Sequence, residues 1–130
     1  MKLVRYLHTA LTVNDLERSR HFYGELLGLT PVPRDMSFPG CWYELHGVQI
    51  HLIHQPHPPL PLADPDRWGR NPHLALAVTD LTQAAQELLS AGYPVQPSSS
   101  GRAAIFTQDP DGHVIELNQW EPEPPPERQS

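Results

Sequence analysis

The sequence predicts an α+β protein built from two βαβββ modules in tandem, because a 65-residue repeat runs through most of its 130 residues. HTALTVNDL at 8–16 matches HLALAVTDL at 73–81 in six of nine positions. IHL at 50–52 and IEL at 115–117 are separated by the same 65 positions. The same spacing at both ends of the unit indicates duplication rather than chance.

The first copy begins with an alternating, branched segment at 5–13 that predicts a strand. Asn14 and Glu17 resemble a capping box, and the helix that they predict ends at Gly28. Strands are predicted near 30–34, 41–45 and 48–53, with His46 and Gly47 forming the tight turn between the last two.

The second copy repeats this order of elements. A strand is predicted at 72–78, followed by a helix that begins at Asp80 and ends at Gly92. Further strands are predicted near 93–97, 103–107 and 113–119, with a turn at 109–112.

We therefore predict a single domain over 1–120. Its modules are 1–53 and 73–120, and a connector at 54–72 holds six of the 16 prolines. The proline-rich tail, 121–130, is expected to be disordered because it has too little apolar surface to bury.

Composition excludes several partners. A net charge of −6 argues against nucleic acid and anionic membranes. We find no signal peptide and no membrane span, so a cytoplasmic location is expected. Cys41 is the single cysteine, which rules out an intrachain disulfide.

Strand alternation points to a site. His8 shares its strand face with Ala10 and Thr12, and His73 shares its face with two alanines, so both histidines are expected to have open space beside them. His51 and Glu116 occupy matching positions in the closing strands. Two imidazoles and a carboxylate suit a borderline divalent metal, with coordination positions left open for substrate.

Paired βαβββ modules, a histidine opening each one and the closing string DPDGHVIEL resemble the vicinal oxygen chelate superfamily of glyoxalases, bleomycin-resistance proteins and extradiol dioxygenases, over residues 1–120. The resemblance implies a mixed sheet that curls around a metal. It implies His8, His73 and Glu116 as metal ligands. His51 matches the fourth ligand position, which in metal-dependent glyoxalases is usually a glutamate that also serves as the base. A histidine at this position can be a metal ligand or a base.

The resemblance also implies a function. One divalent ion per site (Zn, Ni, Fe, Mn or Co) would bind adjacent oxygens of a small substrate, with Glu116 and His51 as catalytic residues. A glyoxalase-like lyase or isomerase is favoured. The alternatives are an extradiol-type dioxygenase, a thiol transferase and a metal-free drug-binding protein. Relatives of this length imply a homodimer with sites shared between chains.

Two further residues are candidates for substrate binding. Arg102 ends the loop 98–102. The resemblance places this loop where fosfomycin-modifying relatives bind an anion and potassium, but the loop lacks their acidic residue. Arg102 could therefore bind an anionic substrate or be solvated. Trp42 is expected in the core or in a pocket wall. Surface roles are expected for the remaining histidines: His21, His46, His54, His57 and His113.

Overall fold

The computed structural model describes residues 1–34, 37–122 and 126–127. It divides into two compact units. The first comprises Met1–Pro61 with Asp109–His113, and the second comprises Leu62–Gln108 with Val114–Ser130. Most of the tail prediction for 121–130 lies outside the described residues. None of the helices in the described ranges has the length and apolar character needed to cross a membrane.

The first unit has the predicted βαβββ order of elements. Its sheet has the order β1-β4-β3-β2, with β1 parallel to β4 and the other pairs antiparallel. The strands are β1 His8–Val13, β2 Thr30–Val32, β3 Gly40–Leu45 and β4 Val48–His54.

Strand β1 is shorter than the predicted 5–13, and Leu7, which lies within the predicted strand, is 62% exposed. Thr9, Leu11 and Val13 turn inward, whereas His8 and Ala10 are exposed and Thr12 is half-buried. The face that carries His8 is therefore open beside that histidine, as predicted.

The first helix begins one residue later than the capping-box pattern predicts. α1 spans Leu16–Arg20, and its N-cap is Asp15, whose side chain accepts a hydrogen bond from the Arg18 amide. The repeat contained this signal, since Asp15 matches Asp80. The helix continues as a π-helical segment, His21–Leu26, where the sequence predicts an ordinary helix.

The turn between β3 and β4 is confirmed. His46 and Gly47 both have positive φ, 48° and 80°, as a two-residue type I′ hairpin turn requires.

The second unit repeats the arrangement, with sheet order β5-β8-β7-β6 and β5 parallel to β8. Its elements are β5 His73–Val78, α2 Leu81–Ser90, β6 Gln96–Pro97, β7 Ala104–Gln108 and β8 Val114–Gln119. Asp80 caps α2 as predicted, by accepting a hydrogen bond from the Gln83 amide. The fold class is thus confirmed, with each module forming its own four-stranded mixed sheet.

The turn that joins β7 to β8 groups with the first unit, although the sequence places it in the second module. Tyr23 donates a hydrogen bond of 2.6 Å from its hydroxyl to Asp109, and burial raises the pKa of that carboxyl. Asp111 Oδ1 accepts from both the backbone and side-chain amides of Asn14. Asn14 therefore fixes this turn rather than capping the helix.

Two histidines expected at the surface are half-buried beside this turn. His113 Nε2 lies 2.8 Å from the Thr12 carbonyl oxygen. The ring of His57 meets carbonyl oxygens at both nitrogens, Pro58 at 2.7 Å and Thr12 at 3.3 Å, and lies 3.9 Å from Asp111 Oδ1. Since only the imidazolium donates from both nitrogens, these contacts favour a charged His57.

A pH dependence of stability follows. The carbonyls of Pro58 and Thr12, with Asp111 and Asp109, raise the pKa of His57 above its ordinary value. A raised pKa adds stability that is complete below the unfolded pKa of ~6.5 and is lost as the pH rises through the folded pKa. We expect His57→Gln to lower the free energy of unfolding at pH 6 and to have little effect at pH 9, as measured by urea denaturation. His54→Gln is the matched control, because among the described residues its ring has a hydrogen bond with a single carbonyl oxygen, that of Asn14; equal effects of both variants at pH 6 would contradict the prediction.

Candidate functional site

The candidate residues of the first unit form a column of stacked rings. His51 lies between His8 and Trp42, with ring centroids 4.0 Å and 4.1 Å away and the planes nearly parallel. The sheet register explains this contact on one side, because Trp42 lies directly opposite His51 on neighbouring strands. The prediction that His8 and His51 share one face agrees with this geometry.

His51 is the more enclosed histidine, at 9% exposure. Its Nε2 lies 2.8 Å from Gln49 Oε1, within hydrogen-bond distance. Burial, followed by the charges of His8 and Arg34, lowers the pKa of His51. The neutral ring is therefore favoured, which is the form that binds metals or accepts a proton.

The candidate residues of the second unit also form a pair. His73 Nε2 lies 3.6 Å from Glu116 Oε1, and the Glu116 side chain is only 8% exposed. His73 Nδ1 lies 2.7 Å from the carbonyl oxygen of Asn71. A carbonyl only accepts, so Nδ1 carries a proton and Nε2 is the ring nitrogen that faces the carboxylate.

Both oxygens of the Glu116 carboxylate have further partners. Arg102 Nη2 donates to Oε1 at 3.3 Å, and Asn118 Nδ2 donates to Oε2 at 2.7 Å. These donors stabilise a buried negative charge that would otherwise be costly. Sequence reasoning did not identify Asn118, although strand alternation places it on the same face as Glu116.

An aromatic ring faces the site residue of the closing strand in both units. Phe106 lies opposite Glu116 on neighbouring strands and meets the His73 ring edge-on at 5.7 Å. Trp42 has the corresponding place opposite His51. The repeat therefore extends to a hydrophobic wall beside each pair.

Arg102 also lines a cavity of about 360 Å³ within the second unit. Arg67 and Arg70 line it as well, and in the described part of the chain neither of these two forms an ion pair. The wall is completed by Asp66, Gly69, Gln96, Pro97, Ser98, Ser99, Ser100 and Phe106. Three guanidiniums with one carboxylate make this a positive recess in an acidic protein, which suits an anionic ligand.

The structure thus brings the four candidate ligands together as two pairs, one in each unit. Among residues 1–34, 37–122 and 126–127, no group of three His, Cys, Asp or Glu side chains is close enough to hold a metal ion. Each unit by itself contributes half of the expected ligand set.

Comparison with known proteins identifies the family. The sequence model described as "Glyoxalase/Bleomycin resistance protein/Dioxygenase superfamily" matches residues 5–117. The lactoylglutathione lyase of Salmonella typhimurium is 30% identical over 127 residues, covering 88% of this chain and 91% of that protein. The lactoylglutathione lyase of Escherichia coli O157:H7 is 29% identical over 135 residues, again covering 88% and 91%.

A solved structure extends this likeness to three dimensions. The trypanothione-dependent glyoxalase I of Leishmania major superposes with a TM-score of 0.70 at 25% identity, covering 90% of this chain and 87% of that one. The resemblance seen in the sequence is therefore confirmed: this chain belongs to the glyoxalase, bleomycin-resistance protein and dioxygenase superfamily.

Proposed function

We propose that this protein is a metal-dependent, glyoxalase-like lyase or isomerase that acts on the adduct of a thiol and a 2-oxoaldehyde. The observation that carries the proposal is the pair formed by His73 and Glu116, in which His73 Nε2 lies 3.6 Å from an oxygen of a buried carboxylate. The relatives named lactoylglutathione lyase support this substrate class, with glutathione as the thiol.

The donor set fits a divalent ion. His8, His51, His73 and Glu116 would hold it, because neutral imidazoles and a carboxylate are ordinary ligands for Zn, Ni, Fe, Mn and Co. Such an ion, when bound, acts as a Lewis acid that stabilises negative charge on adjacent substrate oxygens. His51 then takes the place that a glutamate occupies in metal-dependent glyoxalases.

We further propose a homodimer in which each site is shared between chains. The pair of His8 and His51 from one chain would meet the pair of His73 and Glu116 from its partner. Two observations are consistent with this arrangement: each pair lies within one unit, and His8, Ala10 and Ala75 are exposed on the faces that carry the pairs.

Arg102 would hold the anionic part of the substrate. Glutathione carries two carboxylates, and the recess lined by Arg67, Arg70 and Arg102 offers guanidinium groups that bind carboxylates in two-pronged fashion. Trp42 would form an apolar wall beside the reacting carbons, because its indole stacks on His51. These two residues would thus orient the substrate at opposite ends.

The isomerisation moves two protons. A base removes one from the carbon that bears the sulfur and returns it to the adjacent carbon. The hydroxyl on the first carbon loses the other to the carbonyl oxygen on the second, which leaves a thioester and a hydroxyl. Glu116 and His51 are the two candidates, since one is a carboxylate and the other is kept neutral by its surroundings.

The test is thioester formation from glutathione and a 2-oxoaldehyde. We expect chelator-treated protein to be inactive and to regain activity with at least one of the five metal ions, because the substrate oxygens need the positive charge. The reaction is followed by the absorbance of the thioester.

His51→Ala is expected to lower the rate of this reaction by about 100-fold or more, within the range of contributions from general acid–base catalysis.

His46→Asn is the matched control for His51→Ala, because His46 is an exposed turn histidine whose positive φ asparagine tolerates. Equal rates in the two variants would show that His51 is not a catalytic residue. If the protein binds no metal under any loading condition, the proposal fails, and a metal-free ligand-binding protein becomes the better explanation.

A further inference from the structure

The chain that leads into β5 folds around one buried side chain, that of Asn71, which is 5% exposed. Its Oδ1 accepts a hydrogen bond from the Asp64 amide at 3.0 Å. Its Nδ2 faces three carbonyl oxygens, those of Asp64 at 2.8 Å and of Arg67 and Trp68 at 3.1 Å each. The amide orientation is therefore fixed, with the oxygen on a donor and the nitrogen among acceptors.

This packing holds the backbone of Asn71 as well. Its amide donates to the Trp68 carbonyl at 3.0 Å, and its own backbone is extended. The Asn71 carbonyl oxygen is left facing His73 Nδ1, only two residues along the chain. A shift of that carbonyl would break its hydrogen bond to the imidazole ring, because the two-residue link between Asn71 and His73 allows little compensating movement.

We infer that Asn71 is a positioning residue for His73. Its side chain holds its own carbonyl where that oxygen fixes His73 as the Nδ1-protonated tautomer, with Nε2 aimed at Glu116. Hydrogen bonds to the second nitrogen of a ligating histidine set the tautomer and ring orientation. The role in metal binding rests on the function proposed above, whereas the effect on the tautomer does not.

Only asparagine satisfies all the contacts of this side chain. Aspartate has the same shape but carries no donor, so Asn71→Asp would place a carboxylate oxygen beside three carbonyl oxygens. The resulting repulsion should displace the loop and with it the carbonyl that meets His73.

The first measurement is the tautomer of His73 in the metal-free protein, read from long-range ¹H–¹⁵N NMR correlations at alkaline pH. We expect the parent protein to carry the proton on Nδ1 and Asn71→Asp to show a mixture of tautomers. A proton on Nε2 in the parent would overturn the inference directly, whether or not the variant folds.

The second measurement is affinity for Co²⁺ in competition with a chelator. We expect Asn71→Asp to bind the ion about 10–100-fold more weakly, as is typical when an outer partner of a ligand is lost. Gln96→Ala is the matched control, because Gln96 holds the same loop through the Trp68 amide and the Asp66 carbonyl but, among the described residues, has no hydrogen bond with His73. An equal loss in the control would show general loosening of the loop and would overturn the inference, as would a folded Asn71→Asp protein with the parental affinity.

His73→Ala separates this inference from the proposed function. If that variant keeps the parental Co²⁺ affinity, His73 is not a ligand and the proposed function fails. The tautomer measurement then still decides whether Asn71 positions the ring.

Discussion

Glu116→Gln is expected to abolish tight metal binding, lowering the affinity by more than about 100-fold, since loss of an outer partner alone costs 10–100-fold. The substitution keeps the shape of the side chain but replaces an anionic oxygen with a neutral amide. It also removes the negative charge that pairs with the Arg102 guanidinium, which would remain as an uncompensated positive charge beside the site. Both effects disfavour a cation.

Isothermal titration of the chelator-treated protein with Zn²⁺ or Ni²⁺ measures this loss. Glu44→Gln is the control, because it makes the same chemical change at an exposed position on β3. We expect the control to bind like the parent protein. If Glu116→Gln also binds with the parental affinity, Glu116 is not a metal ligand.

The second large effect is expected from mixing two inactive variants. His8→Ala and Glu116→Gln damage opposite halves of the proposed shared site. After mild unfolding and refolding together, one site of each mixed dimer would carry both lesions and the other none. About half of the dimers would be mixed, so metal binding and activity should return to roughly a quarter of the parental value, if the chains pair at random.

The control mixture combines His8→Ala with His51→Ala. Both lesions then lie in the same half, so every site of a mixed dimer keeps one lesion and no activity should return. Recovery in neither mixture would indicate sites within single chains. A monomer by light scattering at micromolar concentration would rule out the shared site without any mixing.

The repeat explains how much of the site could be predicted from the sequence. Its 65-residue spacing makes His8 equivalent to His73 and His51 equivalent to Glu116, and strand alternation places each pair on one face. The structure agrees within each unit, because both pairs lie in contact or close to it. These relations depend only on local periodicity, which the sequence expresses directly.

The surroundings of the site could not be predicted in this way. Asn71 acts through contacts within the connector, which has no periodicity, so its role depends on the folded path of that loop. The sequence predicts Arg102 as a candidate residue for binding an anionic substrate. Its contact with Glu116 joins a loop to a strand, and no sequence periodicity predicts such a contact. His57 and His113 are half-buried where their rings reach the Thr12 carbonyl oxygen, a contact that no periodicity predicts.

The turn at 109–113 limits where the chain can be divided into two halves. In the first copy of the repeat the matching stretch, 44–48, is a mostly exposed hairpin turn, whereas Asp109–His113 has become part of the other copy's unit. A gene fragment that ends at residue 61 would encode the first sheet without the carboxylates that meet Asn14 and Tyr23. The two copies of the repeat are therefore unequal parts of the fold, and the first half is expected to be stable only when the second half, which supplies Asp109–His113, is expressed with it.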